Sequence, residues 1–252
     1  MTDSREVLSR PAPGPDRTVA YGEHPDHVAD LWFPRGEGPH PVAVVIHGGF
    51  WRAEYDRVHA RPMCNALRAE GYLVCAVEYR RTGQPGGGWP GTFDDVAAFL
   101  GALPALLGDD ADLGRVALIG HSAGGHLALW AASRRAVTGV VSLAGVCDLG
   151  LASRLRLDND AVGNLLGGTP ESVPDRYEAA DPTRFPPTAV PTVLLHGDAD
   201  GIVPVEASRN YAAVAGERCE LRVLSGADHF AVIDPLSAAW PEVLRALADV
   251  LR

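Results

Sequence analysis

The sequence has 252 residues, of which 46% are hydrophobic and 21% charged, a balance typical of a folded globular protein with a substantial core. Its formal net charge of −10 at pH 7 argues against nucleic acid or an anionic membrane surface as the main partner. All 22 basic residues are arginines, which excludes a lysine Schiff base, a pyridoxal-phosphate lysine and a Walker A lysine.

The beginning of the chain, residues 1–15, is polar and contains three prolines, so we expect a loose N-terminal arm. This stretch has no apolar signal core, and we see no apolar stretch that approaches the roughly 20 residues of a membrane span. The four cysteines are widely spaced, without the spacing of a disulfide framework or a metal site. A cytoplasmic protein without a membrane partner is therefore the expectation.

Alternating apolar runs and helical patterns dominate the rest of the chain. Two short β-like stretches, 17–22 and 27–34, flank turn residues and predict a hairpin. The later apolar runs are continuous, as in strands buried on both faces of a parallel sheet. These runs are 42–47, 73–79, 116–120, 140–145, 192–197 and 221–226. Predicted helices lie at 57–70, 93–107, after Ser122, at 205–215 and at 236–251. The alternation predicts a single α/β domain over 1–252, with a mostly parallel central sheet and helices on both faces.

One interval, residues 148–190, interrupts this alternation. It holds no good strand but several turn signals, and loops of this length are usually functional or carry small helices of their own. Ligands of open α/β sheets bind beyond the carboxyl ends of the strands. We therefore expect 148–190 to be a short lid over the site.

Residues 120–124 read Gly-His-Ser-Ala-Gly and match the pattern G-x-S-x-G. A buried strand precedes them and a helix follows, the setting of a sharp turn that exposes a serine hydroxyl above the sheet. Ser122 is then the candidate nucleophile, and the backbone N–H of Ala123 is a candidate donor to an oxyanion. An ordinary glycine-rich loop between strand and helix is the alternative.

A serine nucleophile needs a base and a group that orients the base. Asp198 and Asp200 follow the run 192–197, and His229 follows the run 221–226, so acid and imidazole reach the same sheet edge in the order this chemistry requires. Asp198 and Asp200 are two positions apart, so the alternation of side chains along a strand does not decide which of them is the acid. A calcium loop beginning at Asp198 fails because Ile202 occupies a ligand position.

A second glycine-rich loop, His-Gly-Gly-Phe-Trp, follows the run 42–47. The backbone N–H of Gly49 or Phe50 is the candidate second donor to the oxyanion. Trp51 is a candidate wall of the substrate pocket, with plain packing as the alternative.

Further histidines lie near the same edge, and we expect them to have structural roles because their spacing matches no metal site. They are His47, His121, His126 and His196. We predict neither a metal nor a cofactor.

With these motifs in order (HGGFW, GHSAG, HGDADGIVP and DH), the chain resembles the α/β-hydrolase superfamily from about residue 17 onward. In that superfamily, the pattern HG-x-x-D-x-x-V-P has the catalytic acid at its second aspartate, which selects Asp200. HGGFW followed by GHSAGGHL looks most like arylformamidase (kynurenine formamidase). It is also similar to small acetyl- and feruloyl-esterases, many of which have a third glycine where this chain has Phe50.

The resemblance implies an α/β-hydrolase fold and a cofactor-free serine hydrolase that cleaves a small ester or amide through an acyl-enzyme. Ser122 would attack, His229 would transfer the proton and Asp200 would orient His229. N-formylkynurenine or another aryl formamide is the leading substrate expectation. The alternatives are an acetyl or feruloyl-type carboxylesterase acting on sugar or natural-product esters, and a non-catalytic binding protein with the same fold. The oligomeric state stays open.

Overall fold

The predicted apolar runs form one eight-stranded sheet in the computed structural model of the chain, which describes residues 4–252. The strands are β1 Arg17–Ala20, β2 Val28–Trp32, β3 His40–Ile46, β4 Leu73–Val77, β5 Ala111–His121, β6 Gly139–Leu143, β7 Thr192–Gly197 and β8 Cys219–Leu224. Their order across the sheet is β1-β2-β4-β3-β5-β6-β7-β8.

The sheet is mostly parallel, as predicted. β1 and β2 form the expected antiparallel hairpin, and β2 also runs antiparallel to β4. The remaining pairs are parallel: β4 with β3, β3 with β5, β5 with β6, β6 with β7, and β7 with β8. β3, β4, β6 and β7 are buried almost throughout their length, as is the second half of β5, which is why these stretches are continuously apolar.

Eight helices accompany the strands of the described chain. They are α1 Arg61–Ala69, α2 Gly91–Leu107, α3 Ala123–Ala132, α4 Leu149–Arg154, α5 Leu157–Leu166, α6 Pro174–Ala180, α7 Glu206–Val214 and α8 Trp240–Val250. α1 and α8 pack on one face of the sheet, and α2, α3 and α7 pack on the other. Alternate residues of β3 divide accordingly, Val42 and Val44 facing one core and Ala43 and Val45 the other.

The helix α2 corrects one expectation from the sequence. With the turn that follows it, the segment Gly91–Asp110 is long and apolar enough to cross a membrane by length and composition alone. Its side chains Phe93, Val96, Phe99 and Leu103 are buried in the core beside the sheet. This burial accounts for its apolar composition, because a core helix needs the same residues.

The interval 148–190 contains α4, α5, α6 and a short 3-10 helix, Pro182–Arg184. Three residues inside α5, Asp158 to Asp160, have left-handed backbone angles, with φ between 46° and 64°. Arg156, just before α5, is also left-handed, with φ 50° and ψ 42°. The start of α5 is therefore a tight turn of non-glycine residues, a conformation that costs roughly 1 kcal/mol or more per residue.

Residues 1–3 of the predicted N-terminal arm lie outside the described residues, and residues 10–15, which contain its three prolines, have no helix or strand. Ser4–Leu8 forms a 3-10 helix that buries Val7 in the core. Nη2 of Arg10 donates to Oδ2 of Asp234 at 2.9 Å. These contacts, with a hydrogen bond from Asn65 to the Pro13 carbonyl, join the arm to residues far along the chain, which the prolines of the arm alone do not indicate.

The strand order reverses direction between β3 and β5. The chain moves from β3 outward to β4, and β5 then returns to the other side of β3. Loops that leave the carboxyl ends of such neighbouring strands diverge and form a crevice. The glycine-rich loop after Ile46 and the turn at Ser122 are these two loops, and the site lies between them.

Candidate active site

Ser122 lies in a strained turn between β5 and α3. Its backbone angles are φ 55° and ψ −118°, a conformation that non-glycine residues rarely adopt. The turn is held from three sides: the Ser122 N–H donates to the Leu143 carbonyl at 2.8 Å, and the Ser122 carbonyl accepts from His126 and Val146. These hydrogen bonds stabilise a backbone conformation that is unfavourable for a serine by itself, as is common at functional sites.

Glycines on either side of Ser122 make the turn possible by leaving space. A Cβ atom at Gly120 would overlap the carbonyl oxygen of Gly124, and one at Gly124 would overlap the carbonyl oxygen of Ile46. The turn therefore packs directly on the end of β3. The glycines of the motif are required by close backbone approach.

Asp200 and His229 contact each other at the carboxyl edge of the sheet. Nδ1 of His229 lies 2.7 Å from Oδ2 of Asp200, and both side chains are buried. His229 and Ser122 line the same cavity. The structure thus brings the predicted acid into contact with the predicted base and places both the base and Ser122 at one cavity.

The two candidate acids, Asp198 and Asp200, have different hydrogen-bond partners. Asp200 contacts His229, whereas Oδ1 of Asp198 accepts a hydrogen bond from the Gly226 N–H at 2.6 Å. Asp198 therefore connects the loop after β7 to the loop after β8. Among residues 4–252, no group of three or more His, Cys, Asp or Glu side chains is arranged to hold a metal ion.

The carboxylate of Asp200 is surrounded by hydrogen-bond donors. Its Oδ1 accepts from the backbone N–H groups of Ile202 and Val203 at 2.8 and 2.9 Å. Its Oδ2 lies 3.2 Å from Nε2 of His196, in addition to its bond with His229. Both carboxylate oxygens are therefore fixed in place.

Burial by itself raises the pKa of Asp200, but the donors outweigh it. Hydrogen bonds from His196 and His229, with the charge of His229 and the Val203 N–H, hold the pKa of this carboxyl well below its usual range. Asp200 is consequently ionised at neutral pH, the state needed to orient an imidazole and to stabilise its cation.

The loop after β3 brings backbone donors to the same cavity. Gly49 and Phe50 line it together with Ser122. Within the described chain, the hydrogen bonds leave the N–H groups of Gly49, Phe50 and Ala123 without an acceptor. Ala123 is the first residue of α3, where backbone N–H groups have no intrahelical partner. The N–H groups of Gly49 and Phe50 are therefore free in the cavity wall, and the Ala123 N–H is free directly after Ser122.

A buried ion pair under this loop was missed in the sequence. Nε2 of His47 lies 2.8 Å from Oε1 of Glu78, and Nδ1 of His47 lies 2.8 Å from the Gly48 carbonyl oxygen. The register pairs Ile46 with Val77, so the next residues of the two strands meet. A charged residue at the end of the apolar run 73–79 is the signal that could have indicated this contact.

Trp51 does not line the cavity, so the prediction of a pocket wall is wrong. Its side chain is fully buried and packs edge-on against His126, with ring centroids 5.2 Å apart. Phe50 and Trp51 both have left-handed backbones, with φ 47° and 57°. The loop turns sharply at these residues, so that Phe50 faces the cavity and Trp51 enters the core.

His121, the residue before Ser122, is hydrogen-bonded to the backbone of His229. Nε2 of His121 donates to the carbonyl oxygen of His229 at 2.9 Å. Burial, with the nearby charge of His229, keeps the pKa of His121 well below its usual value. His121 is therefore neutral, and its ring positions the backbone of His229.

The cavity has a volume of about 640 Å³, within the usual size range of small-molecule sites. Its wall is about equally polar and apolar: Phe50, Tyr55 and Phe230 contribute rings, and Leu8, Leu155, Leu157 and Ile202 contribute aliphatic groups. The N-terminal segment and the interval 148–190 both contribute to the wall. The sequence did not indicate which of their residues line it.

The sheet topology and the superposition with solved structures show that the chain has an α/β-hydrolase fold. The BD-FAE family model matches residues 29–214, well over half of the sequence, and the chain belongs to the BD-FAE family.

Several relatives are named as esterases. The esterase LipC of Mycobacterium tuberculosis is 27% identical over 241 residues, which cover 84% of this chain and 59% of LipC. A probable isoprenylcysteine alpha-carbonyl methylesterase of rice, Oryza sativa subsp. japonica, is 26% identical over 98% of this chain and 64% of that protein. The chain thus spans about three-fifths of the length of these two relatives.

A solved structure shows the same fold. A truncated form of a carbohydrate esterase from gut microbiota superposes with a TM-score of 0.79 at 21% identity, covering 94% of this chain and 99% of that one. The expected α/β-hydrolase fold is confirmed. The names of the relatives favour the esterase alternative over the formamidase reading of HGGFW.

Proposed function

We propose that the protein is a serine carboxylesterase that hydrolyses small esters through an acyl-enzyme at Ser122. The observation that carries the proposal is the 2.7 Å contact between His229 and Asp200 at the cavity that Ser122 lines. The esterase names of the relatives support it. An intact nucleophile, base and acid weigh against a non-catalytic binding protein.

In the first half of the reaction, Oγ of Ser122 attacks the ester carbonyl carbon while Nε2 of His229 takes the hydroxyl proton. Asp200 accepts the hydrogen bond from Nδ1, which fixes the tautomer with a lone pair on Nε2 and stabilises the imidazolium that forms. The negative charge moves to the carbonyl oxygen, where the N–H groups of Ala123 and of Gly49 or Phe50 would stabilise it. One such donor is typically worth about 3 kcal/mol in the transition state.

The Gly48 carbonyl distinguishes the two candidate donors. It faces the ring of His47, at 2.8 Å from Nδ1. In a trans peptide the carbonyl and the following N–H point in opposite directions, so the Gly49 N–H points away from the buried imidazole. This geometry favours Gly49 as the second donor.

In the second half, His229 returns the proton to the alkoxide, the carbon–oxygen bond of the ester breaks and the alcohol leaves. Water then attacks the acyl carbonyl while His229 takes a proton from it. Collapse of this second intermediate releases the carboxylic acid and returns the proton to Oγ of Ser122.

The test is a panel of substrates for the purified full chain. It contains 4-nitrophenyl acetate and butyrate, acetylated and feruloylated sugars, and N-formylkynurenine, compared by kcat/KM. We expect the esters to be hydrolysed and N-formylkynurenine to be a poor substrate. Preference for the formamide over every ester would overturn the carboxylesterase proposal and restore the formamidase reading.

The matched variants are Ser122→Ala and Ser133→Ala. Ser133 caps the carboxyl end of α3, and its hydroxyl donates to the Trp130 carbonyl, away from the cavity. We expect Ser122→Ala to lose at least about 10³-fold in kcat with an unchanged circular dichroism spectrum, and Ser133→Ala to keep its activity. A fluorophosphonate probe should label the natural protein and Ser133→Ala but not Ser122→Ala.

A further inference from the structure

The wall of the active-site cavity carries two arginines and one exposed carboxylate. The arginines are Arg5 and Arg156, and the carboxylate belongs to Asp158. Asp158 is held by Arg52, which donates both to its carboxylate and to its backbone carbonyl. The negative charge of Asp158 is thus matched by Arg52, and it does not neutralise the guanidinium of Arg156.

Arg156 differs from most arginines of this protein because no carboxylate holds it. A typical arginine here is Arg80, whose guanidinium contacts Asp95 at 2.6 Å. For the side chain of Arg156, by contrast, residues 4–252 provide no ion pair, hydrogen bond or aromatic contact. Its five donors are free to bind a group that enters the cavity.

The backbone keeps Arg156 at the cavity. Its φ of 50° and ψ of 42° are left-handed, and Asp158, two residues later, is left-handed as well. Such strain persists only where the surroundings impose it, and it concentrates at functional sites. Arg52, which lies outside the turn, stabilises it through its hydrogen bonds to Asp158. The turn therefore keeps Arg156 in the wall of the cavity that Ser122 also lines.

We propose that Arg156 binds a carboxylate carried by the ester that Ser122 cleaves, so that the preferred substrates are anionic esters. This inference rests on the proposed function and narrows its substrate class. A guanidinium binds a carboxylate through two parallel hydrogen bonds, with geometry that a lysine cannot offer. The protein's net charge of −10 repels anions in general, so a preference for them has to come from local cations such as this one.

Arg5 also lines the cavity. The carbon at the centre of its guanidinium lies 5.5 Å from the centroid of the Phe230 ring, and both residues line the cavity. Arg5 belongs to the N-terminal segment and Arg156 to the interval 148–190, so two distant parts of the chain contribute arginines to the cavity wall.

The carboxylate could belong to the acyl group or to the alcohol, and two pairs of substrates separate these sources. The acyl pair is mono-4-nitrophenyl adipate and 4-nitrophenyl hexanoate, which differ by a carboxylate in place of a terminal methyl. The alcohol pair is 4-acetoxybenzoate and 4-acetoxybenzamide. For each pair, kcat/KM is measured after subtraction of spontaneous hydrolysis, and the ratio of anionic to neutral ester gives the charge preference.

The variants are Arg156→Gln and Arg154→Gln. Arg154 is a matched control because it is exposed, lies two residues away on α4 and does not line the cavity. In at least one pair we expect the natural protein and Arg154→Gln to prefer the anion. Arg156→Gln should lose about ten-fold of that preference, the effect of one charge-assisted hydrogen-bonded pair, while its kcat/KM for the neutral ester stays the same. Raising the ionic strength from about 0.05 to 0.5 M should reduce the preference in the natural protein.

Each outcome separates this inference from the proposed function. Hydrolysis of the neutral esters with equal charge preference in the natural protein and Arg156→Gln, in both pairs, would overturn the role of Arg156 and leave the carboxylesterase standing. No hydrolysis of any ester would overturn the proposed function itself. A loss confined to one pair assigns the carboxylate to the acyl or to the alcohol side.

Discussion

His47 and Glu78 form a buried pair directly under the loop that presents Gly49 and Phe50 to the cavity, with Nε2 and Oε1 2.8 Å apart. The other ring nitrogen of His47 faces the Gly48 carbonyl. The imidazole is thus oriented at both ends, and one of its contacts fixes the peptide that carries the Gly49 N–H. The pair connects a buried carboxylate to the geometry of an oxyanion donor.

Glu78→Gln should therefore affect both stability and catalysis. Removing one partner of a buried ion pair typically costs about 3 kcal/mol, which urea unfolding at pH 7 measures. We also expect kcat to fall by about ten-fold with little change in KM, because oxyanion donors act in the transition state. The control is Glu206→Gln, which breaks an exposed pair with Arg209 and should cost under about 1 kcal/mol. An unchanged kcat in Glu78→Gln would show that the loop is held without this pair.

The same pair predicts part of the acid sensitivity. Burial raises the pKa of Glu78, but the charge and hydrogen bond of His47 and the charge of Arg81 lower it to about 2, from a usual value of 4.5. A carboxylate with a lowered pKa stabilises the fold above its unfolded pKa, and this stability is lost as the pH falls from about 4.5 towards about 2. In Glu78→Gln, the free energy of unfolding should vary less over this interval than in the natural protein.

Asp200→Asn tests the role of the acid. The amide cannot fix His229 in the tautomer that leaves a lone pair on Nε2, and the comparable change in serine proteases lowers kcat by about 10⁴-fold. Steady-state hydrolysis of 4-nitrophenyl acetate measures the effect. The matched control is Asp198→Asn, because the oxygen of the amide can still accept the hydrogen bond from Gly226. Comparable activity in the two variants would remove Asp200 from the mechanism.

The space that Gly124 leaves is a further test of the turn. Gly124→Ala should fail to form the native site, because the added Cβ would overlap the Ile46 carbonyl oxygen, a backbone atom that cannot move aside. We expect a loss of activity and a fall of several degrees or more in Tm. Gly101→Ala is the control: Gly101 is exposed in the middle of α2 with no atom within 4 Å of an added Cβ, and it should gain up to about 1 kcal/mol. Equal Tm values for the two variants would contradict the packing described here.

The sheet could be predicted from the sequence because parallel strands buried on both faces have an unambiguous apolar pattern. The same topology explains why Asp200 and His229 could be placed together: each follows a strand, and parallel strands end at one edge. The lower limit of β5 could not be predicted, since it begins at Ala111 and its first residues are partly exposed and polar. The apolar pattern therefore located β5 but not its first residue.

Contacts between distant segments could not be predicted in the same way. Trp51 follows the cavity loop in sequence, yet two left-handed residues turn it into the core. The N-terminal arm looked loose because its prolines oppose regular structure, whereas Val7 and Arg10 bind surfaces formed by residues far along the chain. Left-handed backbones and long-range packing have no periodic signature in a single sequence.

His126→Gln should weaken the dependence of stability on pH between about 6.5 and 4. Burial, assisted by the charge of Arg134, lowers the pKa of His126 from 6.5 to about 4 despite the hydrogen bond that its Nε2 donates to the Ala180 carbonyl at 2.9 Å. In this interval the unfolded chain binds a proton that the folded chain excludes, so the free energy of unfolding falls as the pH falls, by up to about 1.4 kcal/mol per pH unit for one histidine. Glutamine keeps a donor for Ala180 but does not titrate there. Urea unfolding at several pH values measures the slope.

A second histidine provides the comparison for that slope. Burial and the charge of His47 lower the pKa of His59 to about 4 as well, so His59→Gln should remove a similar contribution. The double variant should lose the contributions of both, because each residue excludes its own proton on folding. If His126→Gln and the natural protein show the same slope, His126 does not take up a proton on unfolding in this interval. Since the ring joins α3 to the end of α6 through Ala180, the pH dependence of unfolding then has to arise outside that contact.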